Sequence, residues 1–194
     1  GAYLKEQGYR FTTTTPVTHA RVNSRPHNAH AHDLAGIFGW SRPFAPSVAG
    51  PTLLDLMYNA AVIETDEQML RSAIRASTLD DNLYFHSAYP TTHADAVFFG
   101  PDTYRFLRAL KASLRDHQAP VLRAADIGCG TGAAAVAIAK AYPSATVYAV
   151  DINESALTLA GVNAHLAQVD NVLPVNSDLL TGVLGQLDLI VSNP

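Results

Sequence analysis

Asp126-Ile127-Gly128-Cys129-Gly130-Thr131-Gly132 ends an apolar run and opens an alanine-rich one. Residues 121–127 read as a buried strand and residues 132–142 as a helix, so the glycines fall in the turn between them. Glycine suits such a turn because the chain must adopt backbone angles that side chains resist. It also lets a ligand approach the main chain without meeting a Cβ. Working outward, residues 146–150 read as a second strand, 154–168 as a second helix, 172–175 as a third strand and 187–191 as a fourth. That alternation predicts an α/β fold, a parallel sheet with helices on both faces. Asp151 ends the second strand, 25 residues after Asp126, where a carboxylate can accept both hydroxyls of a ribose. Together these features predict a nucleoside-type ligand lying across the carboxyl ends of the strands.

The charge beside the loop selects among such ligands. A dinucleotide fingerprint reads G-x-G-x-x-G and seats a pyrophosphate on the helix N-terminus. Here the third glycine arrives one residue early, and Asp126 stands two positions before the first. A carboxylate there repels a pyrophosphate and attracts a ligand carrying an ammonium and a sulfonium. The pattern therefore favours S-adenosylmethionine over a nicotinamide or flavin dinucleotide. Cys129 reads as a small filler of the tight loop, with no basic partner nearby in sequence to make it a nucleophile.

Composition narrows the class further. Of 194 residues, 48% are hydrophobic and 15% charged, too apolar for intrinsic disorder. No apolar run reaches the roughly 18 residues of a membrane span, and no signal-peptide pattern opens the chain. One cysteine excludes both a disulfide framework and a four-thiolate zinc site. The expectation is a soluble, cytoplasmic protein with no membrane partner. Net charge is −4, and residues 119–194 carry all of it, with two basic side chains (Arg123, Lys140) against six acidic ones. No basic stripe suited to a phosphate backbone occurs; the mild basic excess of residues 1–50 reads as solvated surface.

Upstream the texture changes. Residues 1–50 are rich in Thr, His, Pro and Asn, predicting short helices and long loops anchored by Phe11, Ile37, Phe38, Trp40 and Phe44. His27, His30 and His32 cluster without helical ligand spacing, so the stretch is read as loop rather than as a metal centre. Pro51 leads an apolar helical pattern through Ile63, and Thr65 with Gln68 fits a capping box opening a short helix to about Leu70. Residues 73–77 and 83–87 flank Asp80-Asp81-Asn82 as a β-hairpin, and residues 102–114 read as a helix. His86 and His93 are candidate substrate-side residues set against packed or exposed alternatives. The division that follows is residues 1–70 as a helical and loop region for substrate recognition, 71–95 as a hairpin linker, and 96–194 as the nucleotide-fold domain.

Asp126 to Gly132, Asp151, Asn176-Ser177-Asp178-Leu179 and the terminal Asp188-Leu189-Ile190-Val191-Ser192-Asn193-Pro194 resemble a class I methyltransferase. More narrowly they resemble the branch that methylates planar amino groups through an Asn-Pro-Pro-Tyr motif, the release-factor glutamine methyltransferases among them. Phe98-Phe99-Gly100-Pro101-Asp102-Thr103 stands where that group has a cofactor-contacting stretch. The resemblance covers about residues 95–194 and implies a Rossmann-like sheet of strand order 3-2-1-4.

Residue by residue, the resemblance implies that Asp126 orients the methionine moiety and that Gly128, Cys129, Gly130, Thr131 and Gly132 face the cofactor with their backbone. It implies that Asp151 binds the ribose, Ile152 packs on adenine, and Asp178 and Leu179 sit at the adenine edge. Phe99, Gly100 and Thr103 would close the methionine side, where Asn193 also meets the cofactor. Asn193 and the Pro194 carbonyl would accept the hydrogens of the substrate NH₂ and aim its lone pair at the methyl group. The implied acceptor is a protein glutamine (release factor or ribosomal protein) or a nucleobase amine in nucleic acid.

The family's second proline, its aromatic residue and the last three strands do not follow Pro194. The expectation is a chain cut at its catalytic motif, which leaves the fourth strand an edge; the alternative is that a dimer mate, a partner or a swapped segment covers that edge. The alternative function is a non-catalytic module that binds the nucleoside cofactor or a partner.

Overall fold

Residues 1–66 and 69–193 are described by the structure, a computed structural model, and they fall into two units, Gly1–Thr92 and His93–Pro194. In the first, α1 (Ala2–Glu6), α2 (Pro16–Asn23), a 3-10 turn (Pro26–Asn28), α3 (Leu34–Phe38) and α4 (Pro46–Asn59) precede two hairpins. These are β1 (Ile63–Asp66) with β2 (Met69–Ser72), and β3 (Ile74–Leu79) with β4 (Asn82–Ser87). Side-chain caps start two of the helices: Thr15 Oγ1 accepts from the Thr18 N–H at 3.3 Å, and Asp33 Oδ1 from the Gly36 N–H at 2.6 Å. Ile37, Phe38, Phe44, Leu53, Met57, Leu70 and Leu83 form the core. Of the expected anchors, Ile37, Phe38 and Phe44 are buried, while Phe11 and Trp40 are half-buried and meet edge to face at 5.2 Å.

Two sequence expectations fail in this unit. The helix entered at Pro51 ends at Asn59, and Ile63 belongs to β1 instead. That helix is also bent where Gly50 takes φ 74°, because a proline ring disfavours helical angles in the residue before it. The short helix from Thr65 to Leu70 is instead the β1–β2 hairpin; Gln68 of the supposed capping box lies outside the described residues. Its replacement has a physical cause. Leu70 exchanges both backbone hydrogen bonds with Phe44, at 2.8 and 2.9 Å, and buries its side chain beside it. A partner that far along the chain outweighs a local capping preference.

The hairpin expected around Asp80 is present, and Asp80 itself takes φ 52°, the sign a tight hairpin turn requires. Across it, Ser77 Oγ lies 2.8 Å from His86 Nε2, and His86 is only 1% exposed. Burial, reinforced by Arg75, holds His86 well below the ordinary histidine pKa. It is a packed core histidine, and His93 is exposed.

The second unit contains α5 (Pro101–Asp116), β5 (Arg123–Ile127), α6 (Ala133–Ala141), β6 (Thr146–Asp151), α7 (Glu154–Leu166), β7 (Val172–Asn176) and β8 (Leu189–Ser192). All four strands are parallel in the order β7-β6-β5-β8, the 3-2-1-4 order expected. Among the described residues β8 pairs on one side only, and Ile190 on it is 51% exposed. The start of β5 is clamped to β8 by Asp188, whose Oδ2 accepts from the Leu122 and Arg123 N–H groups at 2.8 and 2.9 Å. Those two hydrogen bonds hold the Asp188 carboxyl below the usual carboxylate range.

α6 is the central packing element, with every residue from Ala133 to Ala139 buried. Alanine permits this because its short side chain lets a helix approach both a sheet and a neighbouring helix. At Gly132, φ is 72° and an added Cβ would lie 2.8 Å from Ala160 Cβ and 2.9 Å from its Cα. Gly128 also has positive φ, 68°, but a Cβ there would meet nothing within 4 Å.

These two glycines should therefore separate in urea unfolding. Gly128→Ala is expected to cost about 1–2 kcal/mol, from backbone strain alone. Gly132→Ala adds overpacking against α7 and is expected to cost about 2–4 kcal/mol. Equal losses would show that the α6–α7 approach is not tight.

Candidate functional site

A parallel sheet places its ligand crevice at the carboxyl ends of its strands. Here a cavity of about 360 Å³ opens there, between the turn after β5, the end of β6, the start of α5 and residues 96–98. The glycine turn shapes its floor. Gly128, Gly130 and Gly132 all have positive φ, and nothing lies within 4 Å of where a Cβ would stand on Gly128 or Gly130. Two backbone bonds fix the turn, Cys129 N–H to the Val150 carbonyl at 3.0 Å and Gly132 N–H to the Cys129 carbonyl at 2.8 Å. Thr131 is anchored from behind: its carbonyl accepts from Nδ2 of the fully buried Asn163 at 3.0 Å.

Two carboxylates hold this floor in different ways. Asp151 accepts from the Gly130 N–H through Oδ2 and from the Asn153 N–H through Oδ1, each at 3.0 Å. A carboxylate has about four acceptor sites, so hydroxyls from a ligand can still be received. Asp126, on β5, is 3% exposed, and Oδ2 accepts from the Ala135 N–H at 3.0 Å in the first turn of α6. Oδ1 has no partner among the described residues. Burial pushes the Asp126 carboxyl up to about 7, the Ala135 hydrogen bond opposes this, and the Asp151 charge adds to it. The Cys129 thiol is likewise pushed up by burial and by both carboxylates, so it stays protonated and is no nucleophile.

The wall opposite is tied to α7. Asn153 Nδ2 donates to the Asp95 carbonyl at 2.9 Å, Ser155 Oγ to Asp95 Oδ2 at 3.0 Å, and Asn153 Oδ1 caps the helix through the Ser155 N–H at 2.9 Å. These bonds position the segment that carries Val97 and Phe98 to the cavity.

Of the residues singled out in the sequence, Thr103, Asp126, Gly128, Cys129, Gly130, Thr131, Asp151 and Asn193 line this one cavity. Phe99 does not: it is 1% exposed and packs edge to face on Tyr104 at 5.3 Å, while its neighbour Phe98 is 46% exposed at the cavity. Gly100 lies beneath the Phe98 ring, where a side chain would collide with it, and its N–H donates to Thr103 Oγ1 at 3.3 Å. Gly132 packs on α7, and Ile152, Asp178 and Leu179 are exposed outside the lining. Pro194 lies outside the described residues. Phe98 and Asp102 also line it, inside the stretch that the resemblance marks as cofactor-contacting, while Phe106 and Asn153 are lining residues the sequence reading missed. Only Asn153 carried a signal, as an N-cap type just before a helix.

The lining is electrostatically one-sided. Asp102, Asp126 and Asp151 are its charged residues, and no Lys, Arg or His accompanies them. Among the described residues no group of three His, Cys, Asp or Glu could hold a metal ion.

Comparisons agree with this geometry. Residues 105–194 match the methyltransferase small domain family. The release factor glutamine methyltransferase of Deinococcus radiodurans is 41% identical over 104 residues, 54% of this chain and 36% of that protein. The ribosomal protein uL3 glutamine methyltransferase of Xanthomonas campestris pv. campestris is 45% identical over 75 residues, 38% of this chain and 24% of that protein. This chain thus spans about a third or less of the length of these relatives. In structure, an S-adenosylmethionine-dependent methyltransferase from Agrobacterium tumefaciens superposes with a TM-score of 0.51 at 18% identity, covering 72% of this chain and 49% of that one. The chain has the Rossmann-like fold of S-adenosylmethionine-dependent methyltransferases and resembles glutamine methyltransferases in sequence.

The raised Asp126 pKa carries a stability consequence. A carboxyl whose folded pKa lies above its unfolded value contributes stability below the unfolded pKa and loses it as pH rises through the folded one. Between pH 4 and about 7 the ligand-free protein should lose stability relative to Asp126→Asn, by at most about 1.4 kcal/mol per pH unit. Above pH 8 the gap should be constant. Urea melts of both proteins across that range check it; taking their difference removes the buried histidines. A gap independent of pH would mean Asp126 titrates normally.

Proposed function

We propose that this chain is the cofactor-binding part of an S-adenosylmethionine-dependent N-methyltransferase that acts on a planar amino nitrogen. The observation that carries the reading is the cavity itself, a glycine-floored crevice at the strand ends lined by three carboxylates and no cation, with Asn193 at its edge. The fit to the ligand is chemical. The unpartnered Oδ1 of buried Asp126 suits a cationic group, the free lone pairs of Asp151 suit ribose hydroxyls, and the open space above Gly128 and Gly130 admits a close backbone approach. Ile152 and Leu179, exposed and apolar, are the residues this reading assigns to the faces of an adenine, with Asp178 at its edge.

When bound, the cofactor would supply an electrophilic methyl group to the acceptor nitrogen, which would release its proton to water. The chain's own contribution is positioning. An amide nitrogen is a poor nucleophile because its lone pair is delocalised. Acceptors on Asn193, and on the Pro194 carbonyl by the family resemblance, would draw its hydrogens aside and aim that lone pair. Neither a covalent enzyme intermediate nor a metal is required.

For the acceptor, a protein glutamine amide is supported over a nucleobase by two things. Similar proteins are named for glutamine methylation of a release factor and of a ribosomal protein, and the acidic lining offers nothing to a phosphate backbone. Residues 1–70 are assigned to acceptor recognition. Among the described residues no helix is long and apolar enough to cross a membrane; an acceptor in translation would favour a cytoplasmic site of action.

Titration calorimetry should detect S-adenosylmethionine and no NADH. Asp151→Ala removes two backbone hydrogen bonds and the ribose acceptor, and should weaken binding about tenfold to a hundredfold. Tight NADH binding without response to S-adenosylmethionine would sink the reading. With the chain extended past Pro194, radiolabelled methyl should appear in release-factor or ribosomal-protein fractions. Label confined to RNA would overturn the choice of acceptor.

A further inference from the structure

We propose that Asp126 is a proton-exchanging counter-charge for the cofactor's sulfur: a carboxylate while the sulfur is a sulfonium, and a neutral acid when the cavity holds the thioether product, S-adenosylhomocysteine. The inference rests on the cofactor reading above and adds how the site responds to the loss of a positive charge at each turnover.

The geometry sets up the exchange. Asp126 lines the cavity and is 3% exposed. One oxygen is held by the Ala135 N–H, and the other has no partner among the described residues. The surrounding elements supply no balancing cation. β6 contributes the Asp151 carboxylate, α5 the Asp102 carboxylate, and the glycine turn the Cys129 thiol. α6 presents only Ala133 and Ala134, the segment before α5 contributes Ala96, Val97 and Phe98, and the residue after β8 is the neutral Asn193. α7 adds Ala156, with Asn153 capping it. Beyond the Ala135 N–H, none of the described lining residues offers a cation to the Asp126 carboxylate, so a cationic ligand would supply it.

S-adenosylmethionine brings two positive centres, an ammonium and a sulfonium; the product keeps only the ammonium. Losing the second leaves three carboxylates crowded around one cation, and the most desolvated of them is the group that takes up a proton. Burial already brings Asp126 to about 7, within reach of such a switch, whereas Asp102 and Asp151 are more exposed to water. The proton comes from solvent through the cavity, and Asp126 makes or breaks no bond in the ligand. The proton shed by the methylated nitrogen is separate and is released as in any such transfer.

The consequence is a pH-dependent preference. Protonated Asp126 is indifferent to the sulfonium, and ionised Asp126 favours it, so the ratio of S-adenosylmethionine to S-adenosylhomocysteine affinity rises with pH. An opposite charge nearby shifts a carboxyl by one to three pKa units, which corresponds to a rise in that ratio of about tenfold or more.

Calorimetric titration of the chain with each ligand between pH 5.5 and 7.5 tests it. The wild-type ratio is expected to rise about tenfold more than the ratio for Asp126→Asn; the ligands' own amino groups titrate in both proteins and cancel. At pH 7, paired titrations in phosphate and Tris should count more protons released with S-adenosylmethionine than with the thioether. A carbon-13 NMR titration of the wild-type Asp126 carboxyl, which needs no variant, should place its midpoint about one unit higher in the thioether complex. Equal midpoints and equal proton counts, with both ligands bound, overturn this proposal and leave the cofactor reading standing. Absence of binding by either ligand at every pH overturns both.

Discussion

Five residues separate the end of β5 from the start of α6, and three of them, Gly128, Gly130 and Gly132, take positive φ. That constraint governs much of the second unit. A strand that turns into a helix this abruptly brings the first turn of α6 directly behind the strand's end. There the Ala135 N–H can reach the Asp126 carboxylate, which has no other hydrogen-bond partner among the described residues. The same turn offers its Gly130 N–H to Asp151, so the ends of β5 and β6 are joined through a side chain as well as through the ladder. Backbone geometry that glycine adopts without steric cost is thus what brings two acids to one cavity.

Packing enforces the turn from behind. Asn163, fully buried on α7, holds the Thr131 carbonyl, and Gly132 stands too close to Ala160 for any side chain. α6 can be this deeply buried because its inner residues are alanine, valine and isoleucine, and its polar backbone is satisfied within the helix. At the opposite end of the sheet the chemistry reverses. Arg123, at the start of β5, donates to the Gln186 carbonyl at 2.9 Å and to Tyr148 Oη at 3.0 Å, and Lys140 sits in the last turn of α6. Both basic side chains of residues 119–194 thus lie away from the cavity, at the end where the strands begin.

How much of this could be read in advance differs sharply between the two units. The second unit is written in long, locally consistent signals: alternating apolar segments of strand and helix length, glycines where the turn needs them, and Asp151 at a strand end. There the parallel α/β fold and the cavity-lining acids Asp126 and Asp151 were accessible from local pattern, while the strand order came from the family resemblance. Placement of single side chains was not accessible. Phe98 and Phe99 are adjacent aromatics of which Phe98 lines the cavity and Phe99 is buried, and no local pattern distinguishes the two. In the first unit the signals were shorter and contradictory. Thr65 through Leu70 carries helix-start chemistry, yet its decisive partner is Phe44, and only the folded chain brings them together. Ile63 has the spacing of the preceding helix but the β-branched shape of a strand residue, and the strand won.

Shape alone does not decide what this cavity receives, because a glycine turn at the head of a helix serves phosphates as readily as other ligands. Charge does. A pyrophosphate placed here would meet Asp102, Asp126 and Asp151 with no lining cation to offset them. At an effective dielectric of about 20, each like-charge pair at about 4 Å costs about 4 kcal/mol, a penalty a helix terminus worth about 1 kcal/mol cannot recover. For a ligand with two cationic centres the same terms change sign. Burying Asp126 is costly to the ligand-free protein, since its carboxyl is driven up to about 7 by its surroundings, and such a cost is retained most readily where a ligand's charge offsets it. The acid that weakens the ligand-free protein is therefore the strongest physical argument for which class of nucleoside the site is built to hold.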